Sequence, residues 1–333
     1  MMTAVVLLLG SAVAIYLACE LFVNGVEWFG RKLAIGETAT GTILAAFGTA
    51  LPESVVTFVA VALGDDAAQK DIGVGAALGG PLALSTIAYA VVGLSLLAWG
   101  TRAAPGERVG VSVDEARLAR DQGWFLVIFL IKVALGTVAF AVKPVFGLAF
   151  LAAYAWYVRG QMRLGDGGGE AEDLEPLRLR PRDADPPLGW VALQTAAAVL
   201  VIFVASRVFV NQLEAVGTWL GLSPQLTALL FSHIATELPE TMNALIWVRQ
   251  GKERLALANI SGAMMIQATI PTAFGLFFTP WLLDAPLFVG AAVTMAATGF
   301  LYLAFRAGPV SGRRLSQVGC LYGVFAGVVA LVR

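Results

Sequence analysis

Ten apolar stretches recur along this chain, each near the length of about 20 residues that a helix needs to cross a hydrocarbon layer. They cover roughly 3–29, 37–63, 71–99, 122–141, 144–159, 189–217, 224–248, 254–279, 285–305 and 315–332. A chain so occupied has no room for a soluble core with a polar surface. Its composition agrees: 58% of residues are hydrophobic and 14% charged, against about half and about a quarter in soluble domains. The expected fold class is an all-α integral membrane protein. The first stretch superficially resembles a secretory signal ending at Leu17-Ala18-Cys19, but no Lys or Arg precedes it and the apolar run continues through Phe22 and Val23, so it is expected to stay as the first helix. Cys19 and Cys320 sit at opposite ends inside apolar runs, which supports neither a disulfide framework nor a thiolate metal site.

Ten spans place alternate connections on opposite sides, and Lys and Arg sort accordingly. Apart from Lys132 and Arg207 inside apolar stretches, one side keeps only Lys70, Lys143 and Arg333, and all other basic residues fall on the other. The positive-inside bias makes the rich side cytoplasmic and puts both termini outside, in a cell membrane of prokaryotic type. The net charge of −1 offers no basic surface for a nucleic acid. Expected partners are membrane lipids and inorganic cations, and no cofactor is expected. The polar segment 160–188, with Gly167-Gly168-Gly169 and Pro186-Pro187, reads as a flexible cytoplasmic linker between halves at 1–159 and 189–333.

The halves repeat. An offset of 187 residues aligns Phe22-Val23-Asn24 with Phe209-Val210-Asn211, Glu27 with Glu214, Gly30 with Gly217 and Thr40 with Thr227. It also aligns Thr49-Ala50-Leu51-Pro52-Glu53 with Thr236-Glu237-Leu238-Pro239-Glu240, without a gap. Five spans per half is an odd number, so the second copy would enter the membrane from the other side. The expected architecture is two inverted five-helix repeats, with a site at interrupted helices in matching positions.

The interruption is Leu-Pro-Glu. Proline has no N–H, so Pro52 deprives the Gly48 carbonyl of its helical donor and Pro239 does the same for Ala235. Beside each kink stand a carboxylate, Glu53 or Glu240, and a hydroxyl, Thr49 or Thr236. Carbonyls, hydroxyls and carboxylates suit hard cations, and a carboxylate at membrane depth costs on the order of 2.5–3.5 kcal/mol. Two such residues in equivalent positions point to transport. His233, Glu237 and Glu240 follow at i, i+4 and i+7, and an imidazole with carboxylates would suit a transition metal or carry protons. Alternatively, His233 hydrogen-bonds within the bundle and Glu237 lines a wet vestibule. Glu20 and Arg207 are repeat-equivalent and are expected to form an ion pair. The Asn24 and Asn211 pair reads as interhelical glue, and Lys132 as either a buried partner or a snorkelling side chain.

Phe47-Gly48-Thr49-Ala50-Leu51-Pro52-Glu53 and Ala235-Thr236-Glu237-Leu238-Pro239-Glu240 resemble the paired Gly-Thr-Ser-Leu-Pro-Glu motifs of the sodium/calcium exchanger branch of the cation/calcium exchanger superfamily. The resemblance implies ten helices, a cation antiporter rather than an enzyme, and helices 1 and 6 sliding as a gate across a site on helices 2, 3, 7 and 8. It implies Glu53, Glu240, Thr49 and Thr236 as cation ligands, together with the carbonyls of Ala46 and His233. The sequence departs from the family at Ala50 and Glu237, which replace the motif serines. It departs again at Pro81 and Met264, which stand where a second motif, Gly-Asn-x-x-Gly-Ser-Asn, carries polar ligands. The expected activity is exchange of Ca²⁺ or another cation against Na⁺ or H⁺ by alternating access, with fewer bound Na⁺ ions than the family pattern and proton coupling favoured by these departures. The alternatives are a transporter of transition metals through His233 and Glu237, a membrane metalloenzyme, and a non-transporting homologue.

Overall fold

The computed structural model describes residues 2–32, 50–99, 114–164 and 174–332. Every regular element among them is helical: α1 (Met2–Lys32), α2 (Leu51–Leu63), α3 (Ala67–Trp99), α4 (Glu115–Leu135), α5 (Val145–Leu164), α6 (Leu188–Leu220), α7 (Pro224–Thr236), α8 (Leu238–Arg249), α9 (Glu253–Phe278), α10 (Ala285–Arg306), α11 (Gly312–Gln317) and α12 (Cys320–Val332). Six stretches of described helix are long and apolar enough to cross a membrane, and α2 is a shorter apolar helix.

The distribution of side chains is that of a bundle in lipid. Val6, Leu9, Val13 and Leu17 run as an exposed apolar stripe along α1, while Glu53, Lys132, Glu237 and Glu240 are buried. Water would penalise such a stripe, and hydrocarbon would penalise the charges if they faced out.

Local chemistry sets the boundaries. Asp114 caps α4 by accepting from the Arg117 amide, and Gly136 ends it, so this helix lies some residues earlier than the expected 122–141. The following turn is held by the Lys143 ammonium, which donates to the carbonyls of Val138, Pro280 and Trp281. Helix α3 carries Pro81 in its interior and widens to a π-helical stretch at Leu84–Ala88. The missing proline N–H and the ring's clash with the preceding turn account for such a distortion. The expected span 224–248 is two helices, α7 and α8, broken at Glu237. The expected span 37–63 is described from Leu51 onward.

Pairing crosses between the halves. Helix α1 packs along α6, α3 against α7, α9 against α2, α5 against α9, α11 against α3, and α4 against α10. Gly75 makes the α3–α7 contact close: a Cβ there would lie 2.2 Å from the Gln225 carbonyl oxygen. Small residues at such crossings let backbones approach.

The linker differs from the expected flexible segment over 174–187, which is tied to α1 and α6. Trp28 Nε1 donates to the Glu175 carbonyl at 3.0 Å, and the Arg178 amide donates to Asn24 Oδ1 at 3.1 Å. The Leu179 amide donates to Gln194 Oε1 at 2.9 Å, and Gln194 Nε2 in turn donates to Asn24 Oδ1. Leu177 is buried between Trp28 and Val191. Asn24 thus joins α1 to α6 as well as to the linker, and Asn211 Oδ1 joins α6 to α3 by accepting from Gln69, so each asparagine bridges helices. Asn24→Ala should release the strap: amide exchange at Arg178 and Leu179 should quicken about tenfold, the effect of losing about 1.4 kcal/mol of local protection. Hydrogen–deuterium exchange measures this, and unchanged rates would mean that Leu177 burial alone holds the segment.

Candidate cation site

Both Leu-Pro-Glu segments start a helix. Pro52 lies in the first turn of α2 and Pro239 in the first turn of α8, where a missing N–H costs least. Each therefore delivers its glutamate at a helix start, and both Glu53 and Glu240 are fully buried.

The halves meet at Thr236, the last residue of α7. Its hydroxyl donates to Glu53 Oε2 at 2.6 Å and lies 3.1 Å from Glu237 Oε1. Thr57, one turn along α2, reaches Glu53 Oε1 at 3.5 Å. On the other side, Gln267 Nε2 of α9 donates to Glu237 Oε2 at 2.7 Å. Two carboxylates thus flank one hydroxyl in a buried space. A hydroxyl has one hydrogen to give, so the second carboxylate can be satisfied by its own proton or by a cation.

Space for this cluster comes from Gly80 of α3. A Cβ there would sit 2.6 Å from Gln267 Oε1 and 3.0 Å from Glu237 Oε1. Gln267 Oε1 is buried and accepts no hydrogen bond among the described residues, and the same holds for Ser232 Oγ nearby on α7. Lys132 of α4 closes the site from the far side, fully buried and within electrostatic reach of Glu53.

The other sequence candidates distribute as follows. Glu240 lies within electrostatic reach of Cys19 on α1. His233 turns away from the carboxylates: Nδ1 lies 3.0 Å from the Leu229 carbonyl, and Nε2 lies 3.2 Å from the Tyr322 hydroxyl. A carbonyl only accepts, so Nδ1 carries the hydrogen and Nε2 receives the tyrosine's. Both ring nitrogens are thus engaged. The break at Glu237 also takes His233, Glu237 and Glu240 off one continuous helical face. Among the described residues, no three His, Cys, Asp or Glu side chains converge to hold one metal ion. The His233 carbonyl accepts from the Glu237 amide at 2.8 Å. No ion pair joins Glu20 and Arg207. Glu20 lies on the exposed face of α1, hydrogen-bonded by Tyr16 one turn before it, while Arg207 is half-buried on α6. Thr49 and Ala46 lie outside the described residues.

Sequence reasoning did not select Gln267, Thr57 or Gly80. Gln267 carried a signal, being an amide inside the long apolar run of α9.

The profile of the family described as sodium/calcium exchanger protein matches residues 3–163 and 190–332. The chain belongs to that family. Among similar proteins, this exchanger-family chain is 25% identical over 329 residues to the inner membrane protein YrbG of Escherichia coli (strain K12), covering 94% of this chain and 92% of that one. It is 26% identical over 331 residues to CaxA of Alkalimonas amylolytica, a candidate antiporter, covering 96% and 95%. Its fold is similar to that of the H⁺/Ca²⁺ exchanger CAX, with a TM-score of 0.72, 18% identity, and 99% and 82% of the two chains covered. It is also similar to the sodium-calcium exchanger NCX_Mj, with a TM-score of 0.61, 18% identity and 98% of each chain covered. At that identity both likenesses speak for the fold alone. An exchanger-family chain with these apolar helices is an integral membrane protein.

The Gly80 contact makes a prediction of sign. Gly→Ala inside a helix ordinarily stabilises by about 0.5–1 kcal/mol. Gly80→Ala should instead destabilise by about 1–3 kcal/mol, because the methyl group overlaps the Gln267 amide. Thermal unfolding in detergent reads the difference, and a variant as stable as the parent would show that the amide moves aside freely.

Proposed function

We propose that the chain is a secondary antiporter that exchanges Ca²⁺ or another divalent cation against Na⁺ or H⁺ by alternating access. The observation that carries this reading is the buried junction of Glu53, Thr236 and Glu237, which joins a carboxylate from each half through one hydroxyl. Glu53, Glu237, Thr236 and the free Gln267 Oε1 supply hard oxygens at one place, as a Ca²⁺ ion requires. Glu240, Thr49 and the Ala46 carbonyl are assigned to the same site on the resemblance of their motifs. Glu53 and Glu237 together carry the two negative charges that match one divalent cation.

Of the two coupling ions, H⁺ fits better. When the cation leaves, Glu53 and Glu237 remain as two like charges on either side of the Thr236 hydroxyl, and a proton on one of them relieves that repulsion within the geometry present. The two structural neighbours, an H⁺/Ca²⁺ exchanger and a sodium-calcium exchanger, bracket this choice.

In the architecture we propose, the halves 1–159 and 189–333 are inverted five-helix repeats, with the 160–188 linker cytoplasmic and both termini outside. The exchanged pairing of α3 with α7 and of α9 with α2 supports it. Alternating access then needs α1 and α6 to move together across the site, and their extensive mutual packing suits them to do so.

In proteoliposomes with an outward H⁺ or Na⁺ gradient, the protein should take up Ca²⁺. Glu53→Gln and Glu237→Gln should each lower that uptake at least about tenfold, the equivalent of about 1.4 kcal/mol. Glu20→Gln, on the outer face of α1, should leave it within about twofold. Full uptake by Glu53→Gln would place the cation elsewhere.

A further inference from the structure

Lys132 is the one buried group of the site that a cation exchanger would be expected to avoid, since a fixed positive charge repels the cargo. Its side chain is fully buried. Nζ donates to the Ala77 carbonyl of α3 at 2.6 Å and to the Gln267 carbonyl of α9 at 3.3 Å. The ring faces of Phe129 and Trp281 lie 5.3 and 5.9 Å from it, within the range of cation–π attraction.

The two carbonyls are special. In an α-helix the oxygen of residue i accepts from the N–H of residue i+4. For Ala77 that residue is Pro81, and for Gln267 it is Pro271, both inside their helices and both without an N–H. The bundle therefore turns two donor-less carbonyl oxygens from opposite halves toward one point, beside Glu53. In hydrocarbon such oxygens must find a partner, and the natural partner of two carbonyls and a carboxylate is a small hard cation. Lys132 is also held firmly in place. Trp281 Nε1 donates to its backbone carbonyl at 3.1 Å from a residue whose own backbone takes the left-handed φ of 49°.

We infer that the Lys132 ammonium is a tethered cation, filling from α4 a site for a monovalent ion that Pro81 and Pro271 build, so that the protein binds one monovalent cation fewer than its oxygen ligands could hold. This assignment rests on the exchange reading for its role in transport, and on the carbonyl geometry alone for the binding site. Pro81, which removes a polar ligand from the family motif, gives back a carbonyl in its place.

The test counts bound ions. With ²²Na⁺ as the probe and purified protein in detergent, Lys132→Met should bind one more Na⁺ per chain at saturation than the parent. Lys132→Ala, which likewise leaves both carbonyls without a donor, provides the same count if the methionine variant does not fold. Lys132→Arg should keep the parent's count. Adding Pro81→Ala or Pro271→Ala to Lys132→Met should remove the extra ion, because each restores a backbone donor to one carbonyl. An equal count in the parent and both uncharged variants would overturn the inference, as would an extra ion that survives both proline replacements. The count is read without flux, so a parent that transports nothing would refute the exchange reading and leave this one standing.

Discussion

The hydrogen bond from Thr236 to Glu53 fixes where the rest of the bundle must stand. It ties the end of α7 to the start of α2, so the two helices cannot separate without taking from the Glu53 carboxylate its closest donor in a medium that offers no water. Glu237, next in the chain, is brought beside Glu53 by the same residue. Two like charges at that distance are tolerable only with a proton or cation between them. The chain accepts that cost in its interior while its outer surface stays apolar, which is the arrangement expected when polar groups at membrane depth serve transport.

Prolines and glycines do complementary work around this junction. Pro52 and Pro239 begin helices at the carboxylates, and Pro81 and Pro271 strip donors from the carbonyls that Lys132 takes up. Gly80 opens the space in which Gln267 meets Glu237, and Gly75 lets α3 lie against α7 so that the halves interlock. None of these residues carries charge, yet each decides whether a polar atom in the centre has a neighbour. The strap at 174–187 adds a constraint from outside: by holding Asn24, Trp28 and Gln194, it fastens the pair α1 and α6 that would have to move.

Much of this was legible in the sequence. Apolar length gave the helical class, and the register of Leu-Pro-Glu at an offset of 187 located Glu53, Thr236 and the break at Glu237. What was not legible depended on rotation about helix axes. His233 shares a seven-residue window with Glu240, but the break at Glu237 and the Tyr322 hydroxyl turn its ring elsewhere. Glu20 and Arg207 are equivalent by alignment, yet Glu20 faces outward. Lys132 reads from sequence as either a snorkelling or a buried side chain, and only the position of two carbonyls on other helices decides between them. The linker looked flexible because its composition is polar, whereas Leu177 and the backbone amides of Arg178 and Leu179 find partners that composition does not reveal.

The central claim is that Glu53 and Glu237, joined through Thr236, hold the transported cation. An anomalous-scattering map from crystals soaked in Sr²⁺ or Ca²⁺ tests it most directly. The account predicts one peak between the two carboxylates, about 2.3–2.6 Å from their oxygens, with the Thr236 hydroxyl turned to coordinate it. A peak at a different cluster, or a saturated soak with no peak between Glu53 and Glu237, would contradict it.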